Sequence, residues 1–152
     1  MAIGKTATPH IREGIEMYMK RLSHYIPVEI SIVPDLKNTK GLTEDKQKEM
    51  EGQQILSLIN QGDCVVLLDE RGREFTSRQF SEYIDRKMAT VPKRLVFVIG
   101  GPYGFSNQVY DRSNAKLSLS KMTFNHEMIR LFFVEQIYRA MTILRGEPYH
   151  HD

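Results

Sequence analysis

The stretch Leu95-Val96-Phe97-Val98-Ile99-Gly100-Gly101-Pro102-Tyr103-Gly104 decides the fold. Its first half is an unbroken apolar run, the pattern of a β-strand covered on both faces and so of the interior of a parallel sheet. Its second half halts the strand with a glycine pair and a proline. Upstream, Cys64-Val65-Val66-Leu67-Leu68 repeats the pattern between Asp63 and Asp69. Between the two runs, Phe80, Tyr83 and Ile84 mark the inward face of a helix from about Ser77 to Met88.

Working outward, Met1-Ala2-Ile3-Gly4-Lys5 reads as a short strand, and Ile11, Ile15, Met19, Leu22 and Ile26 recur at helical spacing. Val28 to Val33 alternates apolar and polar up to Pro34, which predicts a half-buried strand. Thr43 caps a helix with Glu44 and Asp45 in its first turn, Gln61-Gly62 as its end, and Met50, Ile55, Leu58 and Ile59 as its apolar face. Ser106 to Arg112 reads as a short helix and Lys116 to Ser120 as a short fifth strand. The last helix, about Glu127 to Leu144, is apolar around nearly its whole circumference, from Met128 through Phe132, Phe133 and Ile137 to Met141. A sheet face hides only about half of such a helix, so it is expected to pack against a second subunit. The fold class that follows is α/β, a mostly parallel sheet with helices on both faces, in a single domain over residues 1–152.

A chain of 152 residues with 41% hydrophobic content suits one core. No stretch approaches the roughly 20 apolar residues of a membrane span, and the start lacks a basic-then-apolar leader, so a cytoplasmic protein without membrane contact is expected. A lone Cys64 excludes an internal disulfide and a thiolate metal cage. The net charge of +2 is compatible with an anionic partner without announcing one.

In open α/β sheets, ligands gather outside the carboxyl ends of the strands. The loops Asp69–Glu74, Gly100–Ser106 and Ser118–His126 occupy those places. Gly100 and Gly101 either bring a ligand close to the main chain or make a tight strand-to-helix connection. No Gly-Lys-Ser/Thr follows, which excludes a P-loop, and the glycines come too late in the chain for a dinucleotide fingerprint. A ligand here is held by backbone groups and apolar walls. The charged run Asp69-Glu70-Arg71-Gly72-Arg73-Glu74 reads as a polar cradle or a solvated turn. Glu135, Gln136 and Arg139 interrupt the apolar last helix and need partners if buried, an intersubunit salt bridge being the simplest. The tail Pro148-Tyr149-His150-His151-Asp152 pairs adjacent histidines, which chelate one metal poorly, so no metal site is expected, and a disordered terminus is its plainest reading.

Taken in order, Leu67-Leu68-Asp69, Val98-Ile99-Gly100-Gly101-Pro102-Tyr103-Gly104, Leu117-Ser118-Leu119-Ser120-Lys121-Met122-Thr123-Phe124-Asn125-His126 with Arg130, Glu135-Gln136-Ile137-Tyr138-Arg139-Ala140 and Pro148-Tyr149-His150 resemble the bacterial ribosomal RNA large-subunit methyltransferase H family. Members of that family carry several more apolar residues ahead of Ile3-Gly4-Lys5, a difference that bears on the edge of the sheet and not on the site. The resemblance implies a SPOUT-type α/β fold with a C-terminal trefoil knot, a feature periodicity cannot reveal because knots are rare exceptions of chain topology. It implies a homodimer using S-adenosylmethionine to methylate N3 of a pseudouridine in 23S ribosomal RNA, with the RNA met within the ribosome.

Carried over residue by residue, the resemblance makes Leu68, Gly100, Gly101 and the segment Lys121, Met122, Thr123, Phe124, Asn125 and His126 the cofactor-binding set. The cofactor's sulfonium already activates the methyl group, so placement of the nucleophile and removal of the N3 proton remain for the enzyme. His150 and His126 are the candidate bases and Tyr149 a stacking platform for an RNA base. Arg130, Arg139 and Lys121 are the candidate contacts to RNA phosphate. If the last helix is an interface, the tail of one subunit is placed to complete the site of the other. The alternative reading is a non-catalytic RNA- or nucleotide-binding module using the same loops.

Overall fold

The computed structural model describes residues 1–152. Ten elements alternate along the chain: β1 (Ala2–Ile3), α1 (Pro9–Leu22), β2 (Ile32–Val33), α2 (Glu44–Leu58), β3 (Cys64–Glu74), α3 (Ser77–Thr90), β4 (Leu95–Ile99), α4 (Asn107–Arg112), β5 (Ala115–Ser118) and α5 (Met128–Leu144). The strands form one all-parallel sheet in the order β2-β1-β4-β3-β5.

Both apolar runs occupy the sheet interior, as their lack of alternation requires. Val66 points into a core shared with α1, α3 and α5, while Val65 and Leu67 point into a second core with α2 and α4. Helices therefore cover both faces. Local chemistry accounts for the helix starts: Thr43 Oγ1 accepts the Lys46 N–H at 3.2 Å, Thr76 and Gln79 close a reciprocal capping box, and the Ser106 side chain caps α4.

Several expectations are corrected. The short β1 lies inside the sheet between β2 and β4, so its shortness falls in the interior; the edge is β2, reduced to two residues. Only Val33 of that strand is buried, while Ile30 and Ile32 reach solvent, so an edge strand presents the same alternation over far fewer paired residues. Helix α2 ends at Leu58 and buries Glu51, Gly52 and Ile55, leaving Leu58 exposed. The reason is Gly52, where any side chain would collide with Ser106, so α2 seats its glycine against the start of α4. Strand β3 runs on to Glu74, because the chain departs from register after Leu68 and returns to pair Arg73 with Leu117 and Glu74 with Ser118. Helix α5 packs on the sheet and against both α1 and α3. Those two flanking helices cover part of its apolar circumference, while Phe132 and Leu144 stay exposed, which leaves the expectation of a second subunit standing. No helix is long and apolar enough to cross a membrane.

Candidate functional site at the carboxyl ends of the central strands

Register brings the expected loops together. Leu68 pairs with Ile99 on one side and Leu117 on the other, so Leu68, Gly100 and Ser118 emerge from three neighbouring strands. Gly100 stands over the ring of Phe105. A Cβ on Gly101 would lie 2.5 Å from Glu51 Oε2, so this glycine is required by what lies beneath the turn as well as by anything above it. In the first loop, a Cβ on Gly72 would lie 2.5 Å from the main chain of Leu117, which shows how closely the extension of β3 crosses β5. Asp69 organises this loop: Oδ1 accepts the Arg71 N–H at 2.8 Å and Oδ2 accepts the Tyr110 hydroxyl. Burial and that hydrogen bond push the Tyr110 phenol up to about 12. The charged run is thus a built turn with its first acid engaged within the chain.

The segment after β5 is folded on itself. The Ser118 hydroxyl donates to the Ser120 carbonyl at 2.9 Å, and Ser120 Oγ accepts the Met122 N–H at 3.0 Å. Lys121, Met122, Thr123, Asn125 and His126 are exposed, Met122 by 76%. Phe124 turns inward to meet Phe132 at a ring separation of 5.3 Å. With Phe75, Phe80, Leu117 and Leu119 they wall a cavity of about 260 Å³, which also exposes the polar Ser118 and Gln136. Leu68, Gly100 and Gly101 do not line it. Asn125 Oδ1 accepts the N–H groups of Glu127 and Met128 at 2.9 and 3.3 Å, so this carboxamide caps α5.

Two neighbours of His126 are structural. Glu127 accepts the N–H groups of Ala7 and Thr8 at 2.7 and 3.1 Å, and its hydrogen bonds at Thr8 and Ala7 hold its carboxyl down at about 2. Arg130 is buried, 4% exposed, and donates to the carbonyls of Ile3 and Gly4 and to Thr6 Oγ1. Its expected role at RNA phosphate is therefore corrected: the guanidinium is enclosed and ties α5 to the carboxyl end of β1.

The tail is ordered and carries the other expected residues. Arg139 pairs with Glu135 Oε1 at 2.5 Å within the same helix, where an intersubunit bridge was the expectation. The Tyr149 hydroxyl donates to the same oxygen at 2.9 Å, and Gln136 donates to Glu135 Oε2 at 2.7 Å. Burial and hydrogen bonding with Tyr18 and Glu135 push the Tyr149 phenol far up, so it stays protonated. Its ring lies under Arg139, with the guanidinium carbon 4.8 Å from the centroid, and meets Tyr138 edge-on, so the face Arg139 covers is closed to an RNA base. His150 Nδ1 lies 3.3 Å from Arg139 Nη1, and Nε2 lies 3.2 Å from Asp152 Oδ1. A guanidinium only donates, so Nδ1 is the acceptor from Arg139 and Nε2 the donor to Asp152.

The tail also climbs back toward the loops. Helix α5 leaves the carboxyl edge of the sheet and descends; Tyr149 then returns to Glu135, and Asp152 pairs with Arg78 in the first turn of α3, which starts just beyond β3. Gln136 links the two regions, lining the aromatic cavity while bonding Glu135. His126 makes no contact with this cluster. A larger hollow of about 490 Å³ opens at the opposite, amino end of the strands. There Arg112 is engaged by the carbonyls of Asn60 and Asp63, and Lys87 by Cys64 Sγ at 3.6 Å, so no free charge converges in it.

The family model described as "Predicted SPOUT methyltransferase" matches residues 1–150. The chain belongs to the SPOUT methyltransferase family. Within it, the chain is 61% identical over 152 residues to the ribosomal RNA large subunit methyltransferase H of Parabacteroides distasonis, covering 100% of this chain and 97% of that protein. It is 58% identical to the like-named protein of Christiangramia forsetii, covering 99% and 96%, and 50% identical to that of Porphyromonas gingivalis, covering 100% and 97%. The family match spans β1 through the tail, and the chemistry of the family is methyl transfer.

Sequence reasoning missed Phe75, Arg78, Tyr18 and Glu51. Phe80 was legible only as an inward residue of its helix. Glu51 gave no signal beyond preceding a helical glycine.

Proposed function

We propose that this chain transfers the methyl group of S-adenosylmethionine to N3 of a pseudouridine in 23S ribosomal RNA, acting in the cytoplasm as a knotted homodimer on the ribosome. The observation that carries the reading is the aromatic cavity at the carboxyl ends of the strands, edged by Gln136 and continuous through Glu135 with Arg139, Tyr149 and His150. Phe75, Phe80, Phe124 and Phe132 suit a planar purine, and Ser118 and Gln136, which also line the cavity, offer polar groups to its edge. The residues present therefore fit the cofactor. When bound it supplies a methyl group already activated by a positive sulfur.

The chain's own residues do the rest. The Gly100-Gly101-Pro102 turn and Leu68 form a wall at neighbouring strand ends. His150, 14% exposed at its side chain, accepts the N3 proton on Nδ1 once Arg139 releases that atom; the guanidinium then faces the anion that develops. His126 is the second candidate base. Lys121 and Arg139 contact RNA phosphate. The close crossing at Gly72 and Leu117 is consistent with a threaded topology, and the exposed Met17, Phe132 and Leu144 with burial by a second copy. The test is methyl transfer to ribosomes and to naked ribosomal RNA lacking the modification, with the product mapped to the base position. Labelled N3-methylpseudouridine supports the reading; transfer to any other atom, or none, refutes it.

A further inference from the structure

Three acids are buried: Glu51, Asp63 and Glu127. Asp63 is paired with Arg94 and Glu127 holds the start of α1, but Glu51 has no such explanation. It lies on α2, 4% exposed, with Oε1 accepting from Gln47 Nε2 at 2.9 Å and Oε2 without any partner. That free oxygen is the atom 2.5 Å from where a Cβ on Gly101 would be. The helix beneath the turn is fixed in height, because Gly52, the next residue, is seated against Ser106 and Val109 at the start of α4. An acceptor oxygen enclosed without a donor is unfavourable unless a donor reaches it.

The donors at hand belong to the turn above. Pro102 has no N–H, and the Gly104 N–H already donates to the Gly101 carbonyl at 3.2 Å. The Gly101 N–H faces back across the turn toward Gly104, with which Gly101 forms an antiparallel bridge, so the Tyr103 N–H is the donor left without a partner. We propose that Glu51 is a positioning residue for the cofactor turn: its free Oε2 is the acceptor onto which the main chain of the turn, through the Tyr103 N–H, closes when the methyl donor binds. The carboxylate does not touch the donor; it sets the height of the turn at the strand ends beside the aromatic cavity. The inference rests on the reading of this turn as part of the donor site.

Glu51→Gln keeps the shape and removes the charged acceptor. It weakens binding of S-adenosylmethionine and of S-adenosylhomocysteine about tenfold in calorimetry, the scale of one hydrogen bond to a charged group. In turnover, the donor KM rises by the same factor while kcat at saturating donor is unchanged. The melting temperature does not fall, since a buried charge has been removed. Gly101→Ala presses a methyl group against the same oxygen and lifts the turn, so its loss of affinity and that of Glu51→Gln are less than additive in the double variant. A Glu51→Gln protein that binds both compounds like the unaltered chain, or two fully additive losses, overturns the inference. An unaltered chain that binds neither compound refutes the donor-site reading itself, and the inference with it.

Discussion

Replacing Arg130 by Met separates a structural guanidinium from an RNA-binding one. The side chains are of similar length, so the change removes the donors and the charge while largely retaining volume. Left behind are the buried carbonyls of Ile3 and Gly4, each deprived of its Arg130 donor, and Thr6 Oγ1. Each unsatisfied buried acceptor costs about 1–3 kcal/mol, and the relief of desolvating a guanidinium offsets part of that, so a net loss of about 3 kcal/mol is expected. For a domain of this length that corresponds to a fall of about 6–12 °C in melting temperature. Urea melts give the free-energy loss, thermal melts the fall in melting temperature, and a salt titration of RNA binding tests the role of the charge. A guanidinium enclosed by β1 contributes nothing to counterion release, so the slope of log affinity against log salt stays as in the unaltered chain. A stability change within about 0.5 kcal/mol together with a salt slope shallower by about one unit would show that Arg130 reaches phosphate, and would refute this account of it.

Three further outcomes follow from the site. Glu127, with its folded pKa depressed to about 2, stabilises the chain above the unfolded carboxyl value and loses that contribution as pH falls through about 2. Glu127→Gln therefore flattens the acid limb of a stability-against-pH curve between about pH 4.5 and 2, and an unchanged limb contradicts the assignment. His150→Ala lowers turnover far more than donor affinity; equal turnover on ribosomal substrate removes His150 from the mechanism. Deleting Pro148–Asp152 takes away Tyr149, His150 and the Arg78–Asp152 pair, and abolishes methyl transfer while leaving the oligomeric state seen by sedimentation unchanged. Retained transfer, or dissociation, would place the tail elsewhere in the account.

The parts of this fold that could be read from the chain are those decided by neighbouring residues. Leu95–Ile99 is found at its predicted limits because burial on both faces imposes an apolar residue at every position. Thr43 and Ser106 announce their helices because a cap acts within three residues. Val28–Val33 misleads because alternation records one buried face and says nothing of how many residues find a partner strand at an edge. The site is harder for the same reason in reverse. Leu68, Gly100 and the segment after Leu117 could be placed at strand ends, but the meaning of Arg130 depends on carbonyls at Ile3 and Gly4, on the far side of the chain in sequence. The order of the tail depends likewise on Tyr149 reaching Tyr18 and Glu135. Glu51 is the extreme case, a buried acid visible only once Gly101 is seen to lie over it.

The most direct test of the central claim is a calorimetric titration of the unaltered chain with S-adenosylmethionine, repeated on Phe124→Ala. The account predicts saturable binding of one donor per chain, weakened about tenfold when the aromatic wall at Phe124 is removed, as expected for losing one buried ring contact. No heat of binding from the unaltered chain, or binding indifferent to Phe124, would contradict it.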